Sequence, residues 1–422
     1  MTSIAHVAVI GLGYIGLPTA AILAEHGLQV TGVDVNAQTV AAVRAGTVPF
    51  VEPELGEYVS RTVARGTLTA STQTPSAEAY IVAVPTPFRE DLSPDLSFIE
   101  SAGRALAPTL SGGELVILES TSPPGATERL AQVIQQERPD LATSGDLKFA
   151  HCPERVLPGS VMRELVENDR IVGGVTTEAA EAAAELYRTF CRGEILLTDA
   201  RTAEMTKLVE NSFRDVNIAF ANELSVICAE LGINVWELIE LANHHPRVNI
   251  LQPGPGVGGH CIAVDPWFIV DAAPESARLI RSARQVNDAK PGWVVDQVKA
   301  RAYDVLQSTG RPPVVAALGL AFKKNIDDLR ESPAVAIVDA LARQLSDSQI
   351  LAVEPHVDRL PPALTGHPGV TLADGRDAIE RADIVVMLVD HDDFAALQEV
   401  AASKPVVDTR GLWAKRQSSP RS

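Results

Sequence analysis

Apolar, often β-branched residues come in short runs that end at glycine, proline or an acidic residue. The first run, 6–10, leads straight into Gly11-Leu-Gly13-Tyr-Ile-Gly16; a stretch able to continue as a helix follows at 17–26, then a second run at 29–33 that ends at Asp34. Strands buried on both faces of a parallel sheet read as continuous apolar runs, so this pattern predicts strand, turn, helix, strand. Residues 4–24 carry no charge and could be mistaken for a membrane span, but they lack a basic flank and are broken by Gly11, Gly13, Gly16 and Pro18. Further strands are expected at 80–84 and 115–118, and again at 314–318, 350–353, 384–389 and 406–407, the later ones alternating with helical stretches such as 333–345. Between the two sets, 202–231 holds a helical pattern without proline, closed by Gly232. The expected fold is α/β: two Rossmann-like, doubly wound parallel-sheet domains joined by a central helical domain with one long helix. The expected divisions are 1–200, 201–310 and 311–422.

A chain of 422 residues with 46% hydrophobic and 21% charged content suits two or three soluble domains. Its net charge of −18 excludes a nucleic-acid backbone or an anionic membrane as partner, because both require basic surface. A phosphate-bearing ligand must then be met by a few local cations and backbone amides. The four cysteines, Cys152, Cys191, Cys228 and Cys261, are far apart and fit a reducing cytoplasm rather than a disulfide framework.

Candidate chemistry gathers at the ends of the predicted strands. Gly11, Gly13 and Gly16 stand between strand and helix, with Asp34 eighteen positions beyond Gly16 at the end of the next strand. That arrangement lets a pyrophosphate approach a helix N-terminus while the carboxylate meets the adenosine ribose and repels a 2′-phosphate, so NAD is expected over NADP. Hydroxyl-bearing turns follow two further strands, Pro85-Thr86-Pro87 and Ser120-Thr121-Ser122, and Glu154 and Arg155 follow another. On the long helix, Lys207, Asn211 and Arg214 fall at i, i+4 and i+7, hence on one face. The stretch 252–268 sets Cys261 in a loop with Gly254, Gly256, Gly258 and Gly259, glycines expected to let backbone approach a ligand, and Asp265 follows four residues later. Cys261 is the candidate nucleophile. The neighbouring His244 and His245 point apart and lack a third partner at helical spacing, so hydrogen bonding is expected there and no metal.

Taken in order, the Gly11–Gly16 turn, Pro85-Thr-Pro87, Ser120-Thr-Ser-Pro-Pro-Gly125, the Lys207/Asn211 helix, Gly-Gly-His-Cys261 and Phe322-Lys323 through Arg330 resemble the nucleotide-sugar 6-dehydrogenases over nearly the whole chain. The resemblance implies that Tyr14, Ile15, Thr86, Thr121 and Arg330 join Gly11, Gly13, Gly16 and Asp34 around NAD. It implies a UDP-sugar site built from Arg155, Val156, Lys207, Asn211, Arg214, His245, Arg247, Gly258, Phe322 and Lys323. Cys261 would be the nucleophile, Lys207 and Asp265 would assist proton transfer, and Asn211 and Glu154 would support the oxyanion and the hydrolysis. Within the family, Cys152-Pro-Glu-Arg-Val-Leu-Pro-Gly159 and the run from Ile262 to Phe268 are most similar to members that oxidise UDP-N-acetyl-D-mannosamine; UDP-N-acetyl-D-glucosamine and UDP-glucose are the alternatives. A cytoplasmic homodimer or larger homo-oligomer that supplies polysaccharide biosynthesis is implied. Two rivals stand beside this reading. A two-electron hydroxyacid dehydrogenase would need neither Cys261 nor a second α/β domain, and a non-catalytic NAD-binding regulatory protein would have no use for Cys261, Lys207 and Asp265 together.

Overall fold

The computed structural model describes residues 4–413, apart from 51, 145, 158, 260 and 261. It contains two compact units, residues 1–210 with 267–274, and 211–266 with 275–422. The first unit is built on eight strands: β1 (His6–Ile10), β2 (Gln29–Val33), β3 (Leu68–Ser71), β4 (Ala79–Val82), β5 (Leu115–Leu118), β6 (Lys148–His151), β7 (Arg170–Gly174) and β8 (Ile195–Asp199). Their spatial order is β3-β2-β1-β4-β5-β6-β7-β8. The order reverses between β1 and β4, and the crevice beyond the carboxyl ends of that pair is where ligands of open α/β sheets bind. The continuous apolar runs are explained by burial on both faces: Val7, Val9 and Ile81 belong to one core, Ala8, Ile10 and Val82 to the other. All neighbouring strands are parallel except β6 and β7, whose antiparallel junction the sequence pattern does not announce.

The second unit carries β9 (Val314–Leu318), β10 (Gln349–Val353), β11 (Val370–Leu372), β12 (Ile384–Met387) and β13 (Val406–Asp408), all parallel, in the order β11-β10-β9-β12-β13. Here too the faces alternate, with Val315 and Ala317 in one core and Ala316 and Leu318 in the other. The reversal lies between β9 and β12, which puts the loop after β9 at a second switch point.

The expected long helix spans Ala200–Leu231 and ends where Gly232 adopts a positive φ of 69°. The boundary between the units falls inside it, after Glu210. A second helix of equal length, Arg278–Thr309, is not among the expected elements; Pro291 lies inside it and removes one amide from the helical ladder. Among the described residues no helix is long and apolar enough to cross a membrane.

Candidate active site

In the first unit, the turn after β1 is shaped by its own glycines. Gly11 has φ +96°, and a Cβ there would lie 2.3 Å from the Ala83 carbonyl oxygen; a Cβ on Gly16 would strike the Gly11 oxygen at 1.9 Å. Gly13 has no heavy atom within 4 Å of the Cβ position, which leaves open space beside the start of the helix Gly16–Glu25. Asp34 is fixed at the end of β2 by two backbone donors, Leu12 N–H at 2.9 Å and Asn36 N–H at 2.8 Å. Tyr14 is exposed, with its ring 4.2 Å from that of Phe50, and Ile15 precedes the helix without a capping side chain. Beyond β4, the Thr86 hydroxyl is buried with no partner among the described residues. An orphaned hydroxyl and an open glycine cradle at the switch point are what a dinucleotide requires, so the residues fit NAD.

Thr121 is partly exposed, whereas its neighbours hydrogen-bond to backbone: Ser120 Oγ to the Val84 oxygen at 2.7 Å, and Ser122 Oγ to the Ser120 oxygen at 2.9 Å. The turn is held by a residue that sequence reasoning missed. Glu204, near the start of the long helix, accepts the N–H groups of Gly125 (2.6 Å) and Thr127 (2.7 Å) and the Thr127 hydroxyl (2.6 Å), so it caps the helix Ala126–Glu137. Only the fold reveals this, since 79 positions separate donor from acceptor.

Glu154 is buried and ion-paired to Arg170 at 3.0 Å, while its other oxygen accepts the Arg155 N–H at 2.7 Å. Arg155 reaches Glu210 on the long helix at 2.8 Å and the Asp169 carbonyl, and Val156 packs on the core. Behind this pair, Glu119 accepts from Thr19 (3.0 Å) and Tyr187 (3.1 Å). Burial, reinforced by the charge of Glu154, pushes Glu119 up to about 7 from an ordinary 4.5. Because the folded state holds this proton more tightly, its contribution to stability is complete below pH 4.5 and is lost as pH rises through 7. Between pH 4.5 and 8 the wild type should therefore lose about 3 kcal/mol relative to Glu119→Gln. Parallel urea titrations of the two proteins read this, and superimposable pH profiles would refute it.

In the second unit, Asn211 donates its amide to Asp265 at 2.5 Å, which ties the polar face of the long helix to the start of the helix Asp265–Ala272. Arg214 lies on the same face and is exposed. His245 and Arg247 are exposed, Arg247 donating its N–H to His245 Nδ1 at 3.3 Å. Their loop is closed by Asn243, which donates to the Ile250 oxygen (3.0 Å) and accepts its N–H (2.7 Å), a second contributor not foreseen. The glycines before Cys261 admit close packing of protein. A Cβ on Gly258 would meet Glu331 O, Pro333 and Phe322 within 3.0 Å, and one on Gly254 would meet Arg410 at 2.8 Å, so these glycines let neighbouring protein segments pack against the loop. Cys261 itself, with His260, lies outside the described residues.

The approach to that loop is fixed by a buried polar chain absent from the sequence reading. Asn222 accepts the Gly254 N–H at 2.8 Å and donates to Asn287 at 2.9 Å; Asn287 donates to Asp215 at 2.8 Å, and Asp215 is ion-paired with Arg284 at 2.6 Å. After β9, Phe322 is half-buried and Lys323 exposed, while Arg330 chelates Asp328 at 2.9 and 2.6 Å. Lys207 belongs to the first unit, and Asn211, Asp265, Phe322 and Lys323 to the second.

An orphaned hydroxyl, an open glycine turn and a fixed acidic strand end define the first unit as that of an NAD-binding oxidoreductase. The chain belongs to the UDP-glucose/GDP-mannose dehydrogenase family, whose NAD-binding, central and UDP-binding domains match residues 5–191, 201–289 and 316–415. It is 57% identical over 418 residues to NDP-N-acetyl-D-galactosaminuronic acid dehydrogenase of Ralstonia nicotianae, covering 97% of each chain. It is 55% identical over 421 residues to UDP-N-acetyl-D-mannosamine dehydrogenase of Escherichia coli, covering 97% of this chain and all of that one. The UDP-N-acetyl-mannosamine dehydrogenase of Staphylococcus aureus superposes with a TM-score of 0.82 at 42% identity, over 96% of this chain and 95% of the other.

Proposed function

We propose that this dehydrogenase oxidises the 6-hydroxyl of UDP-N-acetyl-D-mannosamine to a carboxylate in two successive two-electron steps. The observation that carries the reading is the Asn211–Asp265 pair, which joins the polar face of the long helix to the chain four residues beyond Cys261. When bound, NAD supplies the hydride acceptor for both steps. The turn at Gly11, Gly13 and Gly16 with Tyr14 and Ile15, together with Asp34, Thr86, Thr121 and Arg330, would hold it. Arg155, Val156, Arg214, His245, Arg247, Gly258, Phe322 and Lys323 would bind the nucleotide sugar. The Cys261 thiolate adds to the intermediate aldehyde, giving a thiohemiacetal and then a thioester, with Lys207 and Asn211 stabilising the oxyanion. Asp265 assists the water that cleaves the thioester. Glu154 contributes through Arg155, whose backbone N–H it fixes.

The three-part division at 1–200, 201–310 and 311–422 goes with this reading. So does a homodimer: Phe213, Phe220 and Ile227 recur at seven-residue intervals on the long helix with 71%, 53% and 41% of their surface exposed, an apolar stripe suited to a second copy. A cytoplasmic setting, supported by the free thiols of Cys152, Cys191 and Cys228, and a role in supplying uronate units to a polysaccharide complete it.

A second substrate is favoured by one observation, the Ralstonia relative named for an N-acetyl-galactosaminuronic acid. A site that hydrogen-bonds an acetamido group penalises its loss severely, so either N-acetylhexosamine should outperform UDP-glucose. Rates with the UDP-linked mannosamine, glucosamine and galactosamine derivatives, with products identified by mass, test this. A preference for any but the first overturns the choice of sugar.

Because the Asp34 carboxylate is held toward the glycine turn, NADP should be used at least about a hundredfold less efficiently than NAD. Asp34→Ala should raise KM for NAD about tenfold while changing kcat little, since the ribose contact is equal in ground and transition states. Equal efficiency with the two cofactors would defeat the assignment.

A further inference from the structure

Three neighbouring strands of the second sheet, β10, β9 and β12, end side by side, and their loops are joined by one buried pair of side chains. Glu354, directly after β10, accepts the N–H groups of Leu320 (2.7 Å) and Ala321 (2.9 Å) from the loop after β9. His391, from the loop after β12, lies 3.1 Å from the same carboxylate oxygen through Nε2. Its other nitrogen, Nδ1, accepts the N–H of Asn325 at 2.9 Å. Both side chains are wholly buried.

This pattern determines where the imidazole proton sits. An acceptor of a backbone N–H must be bare, so Nδ1 is unprotonated and the proton is on Nε2, donated to Glu354. Although burial alone would push Glu354 up, the His391 hydrogen bond and the Leu320 and Ala321 amides hold it below the ordinary carboxylate value. The same bonds argue against a metal at Glu354, His356 and His391, whose ligand atoms lie within 4.8 Å of one another. With Nδ1 engaged by Asn325, a metal could reach His391 only at the nitrogen that carries the proton.

The ring is an anchor for a turn. Asn325 takes φ +58°, a left-handed conformation uncommon outside glycine, and its amide side chain donates to Asp392 at 2.6 Å and accepts the Asp392 N–H at 3.1 Å. Lys324 pairs with Asp392 at 2.7 Å. Lys323, between the Glu354 anchor and the Asn325 anchor, is exposed and makes no ion pair among the described residues. Two fixed ends thus present a cation at the switch point of a sheet within the matched UDP-binding domain.

We propose that His391 is a positioning residue for nucleotide-sugar binding: by accepting the Asn325 N–H it sets the Phe322–Lys323 turn in the conformation that meets the ligand diphosphate. The inference rests on the reading that Lys323 contacts the nucleotide sugar. It requires no contact between His391 and the ligand.

Two conservative replacements in the full-length enzyme separate the functions of the ring. In His391→Asn an amide oxygen takes the place of Nδ1 and can still accept from Asn325; in His391→Gln the amide takes the place of Nε2 and satisfies Glu354, leaving the Asn325 N–H without its partner. Amide exchange over 320–328 in the ligand-free enzyme and KM and kcat with UDP-N-acetyl-D-mannosamine are measured for both. His391→Gln should accelerate exchange and raise KM, each about tenfold, with kcat little changed, and His391→Asn should restore both toward wild type. NADH affinity should be unaltered in both variants, which controls for folding. A silent His391→Gln, or equal effects of the two variants, overturns the proposal, and so does faster exchange without a change in KM. Lys323→Ala separates the causes: if it raises KM while His391→Gln does not, positioning alone is wrong, whereas an unchanged KM in Lys323→Ala removes the underlying reading and the proposal with it.

Discussion

Cys261→Ala is expected to stop carboxylate formation, lowering the rate of the complete reaction by more than about a thousandfold while NAD and nucleotide-sugar binding persist. An aldehyde carbon is not set up to release hydride, because it lacks the adjacent alkoxide whose collapse expels it. Addition of a thiolate creates that tetrahedral alkoxide. The first oxidation needs no covalent adduct, so the variant should form at most a little aldehyde, recoverable as an adduct with a carbonyl-trapping amine. Wild type should yield about two NADH per sugar. Normal carboxylate production by the alanine variant, or one NADH per sugar in wild type, would show that Cys261 is not the nucleophile.

The second large effect concerns stability. Lys290, on the helix Arg278–Thr309, is buried beside a cavity of about 300 Å³, donates to Ser225 at 2.5 Å and lies 3.8 Å from the centre of the Trp293 ring. Among the described residues no carboxylate pairs with it, and burial lowers it from an ordinary 10.5 to about 7. The folded state therefore disfavours the ammonium form that the unfolded chain keeps, a cost that is greatest below pH 7 and fades as pH rises from 7 toward 10.5. Raising pH from 7 to 9 should stabilise wild type by about 2 kcal/mol through this group. Lys290→Met keeps the shape, loses one hydrogen bond and should be more stable at pH 7 by about 3 kcal/mol, with the pH 7–9 rise abolished. Denaturant midpoints at the two pH values measure both effects. A methionine variant less stable than wild type at pH 7 would mean that the indole face and Ser225 fully compensate the buried charge.

The opposite signs expected for Glu119 and Lys290 keep the two tests distinct. Raising pH weakens the first unit through a carboxylic acid that must give up its proton and strengthens the second through an ammonium that gives up its own. Glu119→Gln and Lys290→Met should each remove one slope and leave the other, since the residues belong to different units.

By itself the sequence determined the elements whose causes are local. Continuous apolar runs made β5 and β9 legible to the residue, because a strand covered on both faces must be apolar at nearly every position, and the glycine turn and Asp34 marked where β1 and β2 end. The glycine turn with Asp34 was legible because backbone sterics admit few alternatives there, and the helix Ala200–Leu231 because nothing within it breaks a helix. The tertiary structure alone decided what depends on distant partners. It brought Glu204 to the turn at Gly125, joined Asn222 to Gly254, and put Glu354 and His391 around the loop after β9. It also ran a helix through Pro291, where packing outweighs the lost amide bond. It also packed Phe322, Pro333 and Arg410 against the glycines before Cys261. A hydrogen bond across the fold leaves no trace in the spacing of residues, whereas a periodicity or a steric exclusion does.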